Sequence, residues 1–316
     1  MENYNLKKGV IYGLIAVFTI GLQPVISNAR PNVIDPYLFG AITALIEAIL
    51  FFPIFLFERY KLKQNLVRSP ELMLKNKSLL QGWKKKNNFK IIILVGLVFS
   101  IVPILLYIGY ELAGAINSSL SLKSEIIFAL IFGFLILNER ITKLQILYCV
   151  LLFFGLILAI TNGSFNLIEF NLGALIILLA VGLFTLVHTI TKIGFEKNEL
   201  IPSQLVFLRN FFSGVLLTLI YFLFFPVENI DIIFEHFPFF FIMALDYGVS
   251  LYLWYRMLTY IQIGKASIIN SLTPIVSAFF SFIFLGEIFT IFHFIGMCMI
   301  IFSIYMIVRE KKSKTK

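Results

Sequence analysis

The chain has 316 residues, of which 59% are hydrophobic and 14% charged, with a mean hydropathy of +0.94. A soluble globular domain carries about 25% charged residues, so that class is excluded and a membrane protein is indicated. The formal charge of +9 could suggest nucleic acid, but the basic residues sit in short loops between apolar spans and not on a folded polar surface, so no nucleic-acid partner is expected. Apolar runs close to the ~20 residues that cross a bilayer begin with Val10 to Ser27, Tyr37 to Phe57, Phe89 to Tyr110, Ile116 to Leu137 and Ile141 to Thr161. The second half supplies Phe170 to Ile190, Ser203 to Phe225, Phe237 to Met257, Gly264 to Leu285 and Ile288 to Val308. Hydrocarbon offers no hydrogen bonds to an exposed backbone, so these runs are helices or a closed barrel, and their continuous hydrophobicity selects helices. The expected fold is an all-α polytopic membrane protein with ten transmembrane helices.

Lys and Arg set the orientation. With a cytoplasmic N-terminus, the inner segments carry Lys7 and Lys8, ten basic residues from Arg59 to Lys90, Arg140 with Lys143, Lys192 with Lys197, Arg256 with Lys265, and the tail from Arg309 to Lys316. The outer segments carry Arg30, and the loop between the seventh and eighth spans is acidic, with Glu228, Asp231 and Glu235. Both termini are therefore expected in the cytoplasm, in a multi-pass protein of the cell membrane. The inner loop from Glu58 to Asn88 holds Lys84-Lys85-Lys86 beside Trp83, a pattern that can meet anionic lipid headgroups but reads first as a topology signal. Lys7, Lys8, the apolar core and Ser27-Asn28-Ala29 mimic a signal peptide. The core is longer than a signal's and the internal duplication described next needs it, so retention is expected.

A constant offset of 148 residues pairs Ile127 with Ile275, Phe132 with Phe280, Leu137 with Leu285 and Glu139 with Glu287, and further back Tyr107 with Tyr255 and Ser119 with Ser267. Aliphatic matches carry little weight in so apolar a chain, but a Glu closing a long apolar helix in both copies indicates one duplicated unit. Ten helices divide into two sets of five, and an odd number per set turns the halves over. The expected domains are therefore two inverted five-helix repeats, 1–162 and 163–316. The loop at Asn138 to Thr142 is basic while its counterpart after Glu287 has no Lys or Arg, as opposite placements require.

The run from Tyr255 through Leu258, Tyr260 and Ala266 to Asn270, Pro274, Leu285-Gly286-Glu287 and Gly296 resembles the second EamA repeat of the drug/metabolite transporter superfamily. Tyr107 through Glu111, Ala115, Glu125, Leu137-Asn138-Glu139-Arg140 and Gly155 resembles the first. Ile126 stands where the family's proline is usual, which leaves a break in the fourth helix without its proline, and Asn138 replaces a glycine. The resemblance implies a secondary transporter with a central cavity, a permease or exporter that moves a small metabolite or drug-like solute by alternating access. A channel or lipid scramblase is the alternative, and it needs a wide polar path that the few deep polar groups do not provide.

Other chemistry is not legible. There is no Gly-x-x-x-x-Gly-Lys-Ser/Thr loop for nucleotide hydrolysis. His188, His236 and His293 have no metal-ligand spacing, and Cys149 and Cys298 lie inside spans. An enzyme is not expected, nor a cofactor or metal. Glu139 and Glu287 read as caps of the helices that follow them; Glu139 precedes the capping-box pattern Thr142 to Gln145. Tyr252, Trp254, Tyr255 and Tyr260 read as an interfacial belt, although Tyr107 and Tyr255 are also weak cavity candidates because they recur.

The candidate substrate-binding residues are Lys123, Glu125, Glu47, Asp246, Tyr107, Tyr255 and Asn270. A charge in hydrocarbon costs roughly 2.5 to 3.5 kcal/mol or more, so Lys123 and Glu125, about a third of the way into the fourth span, do not face lipid. In an ideal helix the two lie about 200° apart and cannot pair with each other. Lys123 is therefore expected to meet a carboxylate such as Glu47 or Asp246, or an anionic substrate group, and Glu125 a substrate amine, a proton or a neighbouring donor. Glu47 and Asp246, near the middle of their helices, could carry a coupled proton. The expected partners are a small-molecule substrate, membrane lipid and, as a further candidate, that coupling proton.

Overall fold

The computed structural model describes residues 2–68, 77–137, 141–165, 171–224, 231–260, 266 and 269–312. Among these residues every regular element is a helix. The first half holds α1 (Glu2–Ala29), α2 (Pro36–Arg68), α3 (Lys86–Val98), α4 (Val102–Ala113), α5 (Ala115–Ser121), α6 (Glu125–Leu137) and α7 (Lys143–Ile160). The second half holds α8 (Leu172–Glu196), α9 (Pro202–Phe224), α10 (Asp231–Glu235), α11 (Phe237–Tyr260), α12 (Thr273–Leu285) and α13 (Ile291–Lys312). Nine helical stretches among the described residues are long and apolar enough to cross a membrane, and the 13-residue α12 is a shorter apolar helix. Large apolar side chains stand exposed along them, Leu223 at 74% and Phe282 at 66% among them. In water such a surface would drive association; in lipid it is the ordinary exterior, and the chain is a multi-pass membrane protein.

Three predicted spans are interrupted. The third turns at Phe99 to Ile101, just before Pro103, whose ring and missing N–H disfavour a continuous helix. The fourth, which lacks the usual proline, passes through a 3₁₀ turn, Leu122–Ser124, between α5 and α6. The ninth, expected from Gly264 to Leu285, turns at Ser271 and Leu272, and α12 restarts with Pro274 in its first turn, where the absent N–H is harmless. Residues 261–265, 267 and 268 of that span lie outside the described residues, as do Asn138, Glu139 and Arg140.

The chain forms two compact units, each drawing on both halves of the sequence. Unit 1 comprises Met1–Arg30, Leu105–Leu186 and Leu253–Lys316; unit 2 comprises Pro31–Ile104 and Val187–Tyr252. In unit 1, α13 packs along α7 and α12 lies against α1 and α5, around a core that includes Ile116, Leu152, Leu156, Met297 and Ile300. In unit 2, α9 packs along α2 and touches α3. Lipid gives apolar helices little reason to associate, so close backbone approach matters. A Cβ at Gly296 would lie 2.5 Å from the carbonyl oxygen of Gly155, and one at Gly155 would lie 3.0 Å from that of Gly296. Gly296→Leu is expected to push α13 off α7 and to cost about 1–3 kcal/mol, the usual range for overpacking, read as a lower melting temperature of the purified protein. Unchanged melting would mean that the crossing is not close.

The capping box at the start of α7 forms as expected: Gln145 N–H donates to Thr142 Oγ1 at 3.1 Å, and Thr142 N–H donates to Gln145 Oε1 at 3.0 Å. Glu287 caps a different helix from the one expected. Gly286 ends α12 with φ +67°, a left-handed conformation that favours glycine, and turns the chain so that Glu287 reaches the start of α5. Its carboxylate accepts from Ala115 N–H at 2.6 Å and Ile116 N–H at 2.9 Å, which satisfies two of that helix's orphan donors. Gly114, with φ +76°, makes the bend between α4 and α5 that presents them. Glu139 lies outside the described residues.

Candidate functional site

Each unit contains a buried polar cluster, and the sequence candidates divide between them. In unit 1 the interruption of the fourth span meets that of the ninth. Lys123, 4% exposed in the 3₁₀ turn, donates from Nζ to the Asn270 carbonyl oxygen at 2.9 Å, a carbonyl set at the end of a broken helix. Near the other end of the same pairing, Ser277 Oγ donates to the Ala115 carbonyl at 3.3 Å. Facing residue numbers thus sum to 393 and 392, so the two segments run antiparallel. Ser121 Oγ, Ser124 Oγ, Thr273 Oγ1 and Asn270 Oδ1 are buried in and beside the two breaks with no hydrogen-bond partner among the described residues. Burying a polar group in lipid without a partner is costly.

Lys123 therefore meets a backbone carbonyl, and the carboxylate expected for it has another cation. Glu125 begins α6, partly buried, and interacts electrostatically with Lys123. The ideal-helix expectation kept the two apart. A 3₁₀ turn advances about 120° per residue where an α-helix advances about 100°, which narrows the angle between positions two apart from about 160° to about 120°. Tyr107 on α4 and Tyr255 on α11 are both buried in unit 1, 1% and 2% exposed. Tyr255 and Trp254 thus lie inside the protein and do not form the interfacial belt expected of them. Arg30 is also buried here; its guanidinium pairs with Glu111 at 2.5 Å and donates to the Ser27 carbonyl at 2.8 Å.

The cluster of unit 2 is organised by Arg209, which is absent from the sequence candidates and sits inside the apolar run of α9. The signal was the one applied to Lys123: a charge that lipid does not accept. Arg209 is 1% exposed. Its guanidinium lies 4.1 Å from the centre of the Phe99 ring and 5.5 Å from that of Tyr247, a sandwich that favours a desolvated cation. Nε donates to Asn210 Oδ1 at 3.0 Å, the Asn210 amide donates to Glu47 Oε2 at 2.5 Å, and Arg209 Nη2 stands 3.7 Å from the same Glu47 oxygen. Glu47 on α2 is thus held by Arg209 and Asn210. Asp246 on α11 is 9% exposed, interacts electrostatically with Glu47, and keeps Oδ2 buried without a partner among the described residues. His188 on α8 stacks on Phe99 at 5.8 Å and feels the Arg209 charge.

A third group of polar contacts in unit 2 ties α2 to α9 and α11, and the turn between α8 and α9 to Lys85 and Asn88. Glu58 accepts from Tyr252 Oη at 2.6 Å and from Ser203 Oγ at 2.7 Å. Glu199, between α8 and α9, pairs with Lys85 and accepts from the Asn88 amide at 2.7 Å; these two donors hold its carboxyl below the usual carboxylate range. A depressed value means that the contact is kept at neutral pH and lost as acid protonates Glu199.

Residues 7–161 and 171–309 match the model of the EamA-like transporter family. An uncharacterized transporter of Methanothermobacter thermautotrophicus is 25% identical over 309 residues, which cover 94% of this chain and 86% of that one. A solved crystal structure superposes at a TM-score of 0.61 over 99% of both chains with 12% identity, a likeness of fold.

Proposed function

We propose, for a chain that belongs to the EamA-like transporter family, a secondary transporter of the cytoplasmic membrane that moves a small metabolite or drug-like solute by alternating access. The observation that carries this reading is the meeting of two interrupted spans at Lys123 and Asn270. In transporters built from inverted repeats, discontinuous helices form the substrate site near the bilayer midplane, where the repeats face each other. The proposed repeats, 1–162 and 163–316, are supported by the paired family matches at 7–161 and 171–309. With an offset of 148, Leu122 is equivalent to Asn270, and those two numbers sum to 392, the antiparallel register of α5 and α12. The Lys123–Asn270 contact therefore falls where equivalent residues of the two copies come opposite one another, the expected centre of an inverted pair.

On this reading Lys123, Glu125 and Asn270 supply the polar part of the solute site, and Tyr107 and Tyr255 support it. Both termini lie in the cytoplasm, as the basic residues direct. Counterflow in proteoliposomes tests the function, with a solute first identified by thermal stabilisation of the purified protein. A carrier exchanges labelled for unlabelled solute faster than it allows net flux. Equal rates would sink the carrier in favour of a channel.

A further inference from the structure

The cluster of unit 2 holds two carboxyls against one guanidinium, and the two carboxyls have unequal surroundings. Glu47 stands 3.7 Å from Arg209 and accepts from Asn210, which balances the guanidinium charge, while Arg209 Nη1 keeps no hydrogen-bond partner among the described residues. The titratable and charged groups of the cluster are Glu47 from α2, Arg209 from α9, His188 from α8 and, beside Asp246 on α11, Tyr247; the Phe99 side chain, which packs on the guanidinium, adds none. Ser250 Oγ, one turn along, donates to the Asp246 backbone carbonyl and not to its carboxylate. With Arg209 and both carboxyls ionised the cluster would carry one net negative charge inside a lipid-embedded unit, and Asp246 Oδ2 has no donor among the described residues. A buried charge without a partner is among the most costly features a protein can hold. A single proton on Asp246 removes it.

We infer that Asp246 is a reversible proton-binding site: a proton from water forms an O–H bond on its carboxyl, leaving the Arg209–Glu47 pair intact and the cluster neutral, and release of that proton leaves a charge that unit 2 must expose or repartner. The site stands on unit 2 by itself; the transporter reading adds only its use, the coupling of solute movement to a proton gradient. Asp246 takes the proton because Glu47 is held by a cation and an amide donor.

Infrared pH-difference spectra of the purified full-length protein in lipid nanodiscs test this without a transported solute. The chain has three aspartates, Asp35, Asp231 and Asp246, and the first two lie outside the membrane-spanning helices. The expected result is a protonated-carboxyl C=O band, sensitive to D₂O, that moves when aspartate is labelled with ¹³C at its side-chain carboxyl. It disappears in Asp246→Asn and remains in Glu125→Gln. Asp246→Glu, which keeps a carboxyl at the site, retains a D₂O-sensitive band that no longer responds to the aspartate label. A band that survives in Asp246→Asn, or parent spectra with no label-sensitive protonated carboxyl, overturns the inference. Transport that fails with the band present would count against the carrier and leave the proton site standing.

Discussion

Arg209→Met is expected to lower stability by about 3 to 5 kcal/mol, because removing one member of a buried ion pair strands the other. Met keeps much of the length and apolar volume, so the loss reports the charge and its stacking more than a cavity. Three interactions go at once: the approach to Glu47, the bond to Asn210 Oδ1, and the contact with the faces of Phe99 and Tyr247. The stacking alone is worth up to about 2 kcal/mol when desolvated. Adding Glu47→Gln removes the stranded carboxylate while leaving an amide oxygen for Asn210, so the double variant is expected to recover at least half of the loss. The measurement is the melting temperature of the four proteins of the cycle in the same detergent. A double variant no more stable than Arg209→Met would show that Glu47 is not the partner, and an Arg209→Met protein as stable as the parent would remove Arg209 from the centre of unit 2.

Much of the fold was legible because lipid imposes one strong rule: a backbone without water must bond within itself. Length and continuous hydrophobicity therefore identified membrane helices, and the Thr142 to Gln145 pattern identified a cap that forms as written. What the sequence concealed was local. Ile126 in place of a proline put a break of the fourth helix in doubt, and the chain tightens into a 3₁₀ turn at Leu122–Ser124, where Lys123 reaches the Asn270 carbonyl. That contact is long-range, and no window of sequence contains both partners. Glu287 is similar: a carboxylate before α13 looks like that helix's cap, but the left-handed turn at Gly286 sends it to α5, 171 residues away by the Ile116 bond. Arg209 was legible and passed over, since the rule that singled out Lys123 applied to it equally. That Glu47 rather than Asp246 would hold the cation depended on which helices pack together, α2 on α9, which composition does not encode.

Lys123→Met is expected to reduce transport by at least about tenfold, equivalent to 1.4 kcal/mol or more of lost transition-state or binding free energy. The variant removes the ammonium and leaves the Asn270 carbonyl without its donor, at a cost to stability of about 1–3 kcal/mol for an unsatisfied buried acceptor. Loss of function therefore has to be separated from loss of fold. Melting temperature and monodispersity measure the second; uptake at saturating and sub-saturating solute measures the first. Lys123→Arg is expected to retain the charge but not the activity, since a planar guanidinium cannot take the place of a compact ammonium aimed at one carbonyl. Glu125→Gln is expected to reduce transport as well, with less effect on stability, because its electrostatic relation to Lys123 is lost while an amide of the same size stays in the first turn of α6. If the two interrupted spans must part and rejoin in each cycle, the Lys123–Asn270 bond is broken and remade with it, so its removal changes rate more than it changes the resting structure. Should Lys123→Met and Glu125→Gln both transport like the parent at either solute level, the solute binds elsewhere, and the charges of the fourth span serve only to hold its break against the ninth.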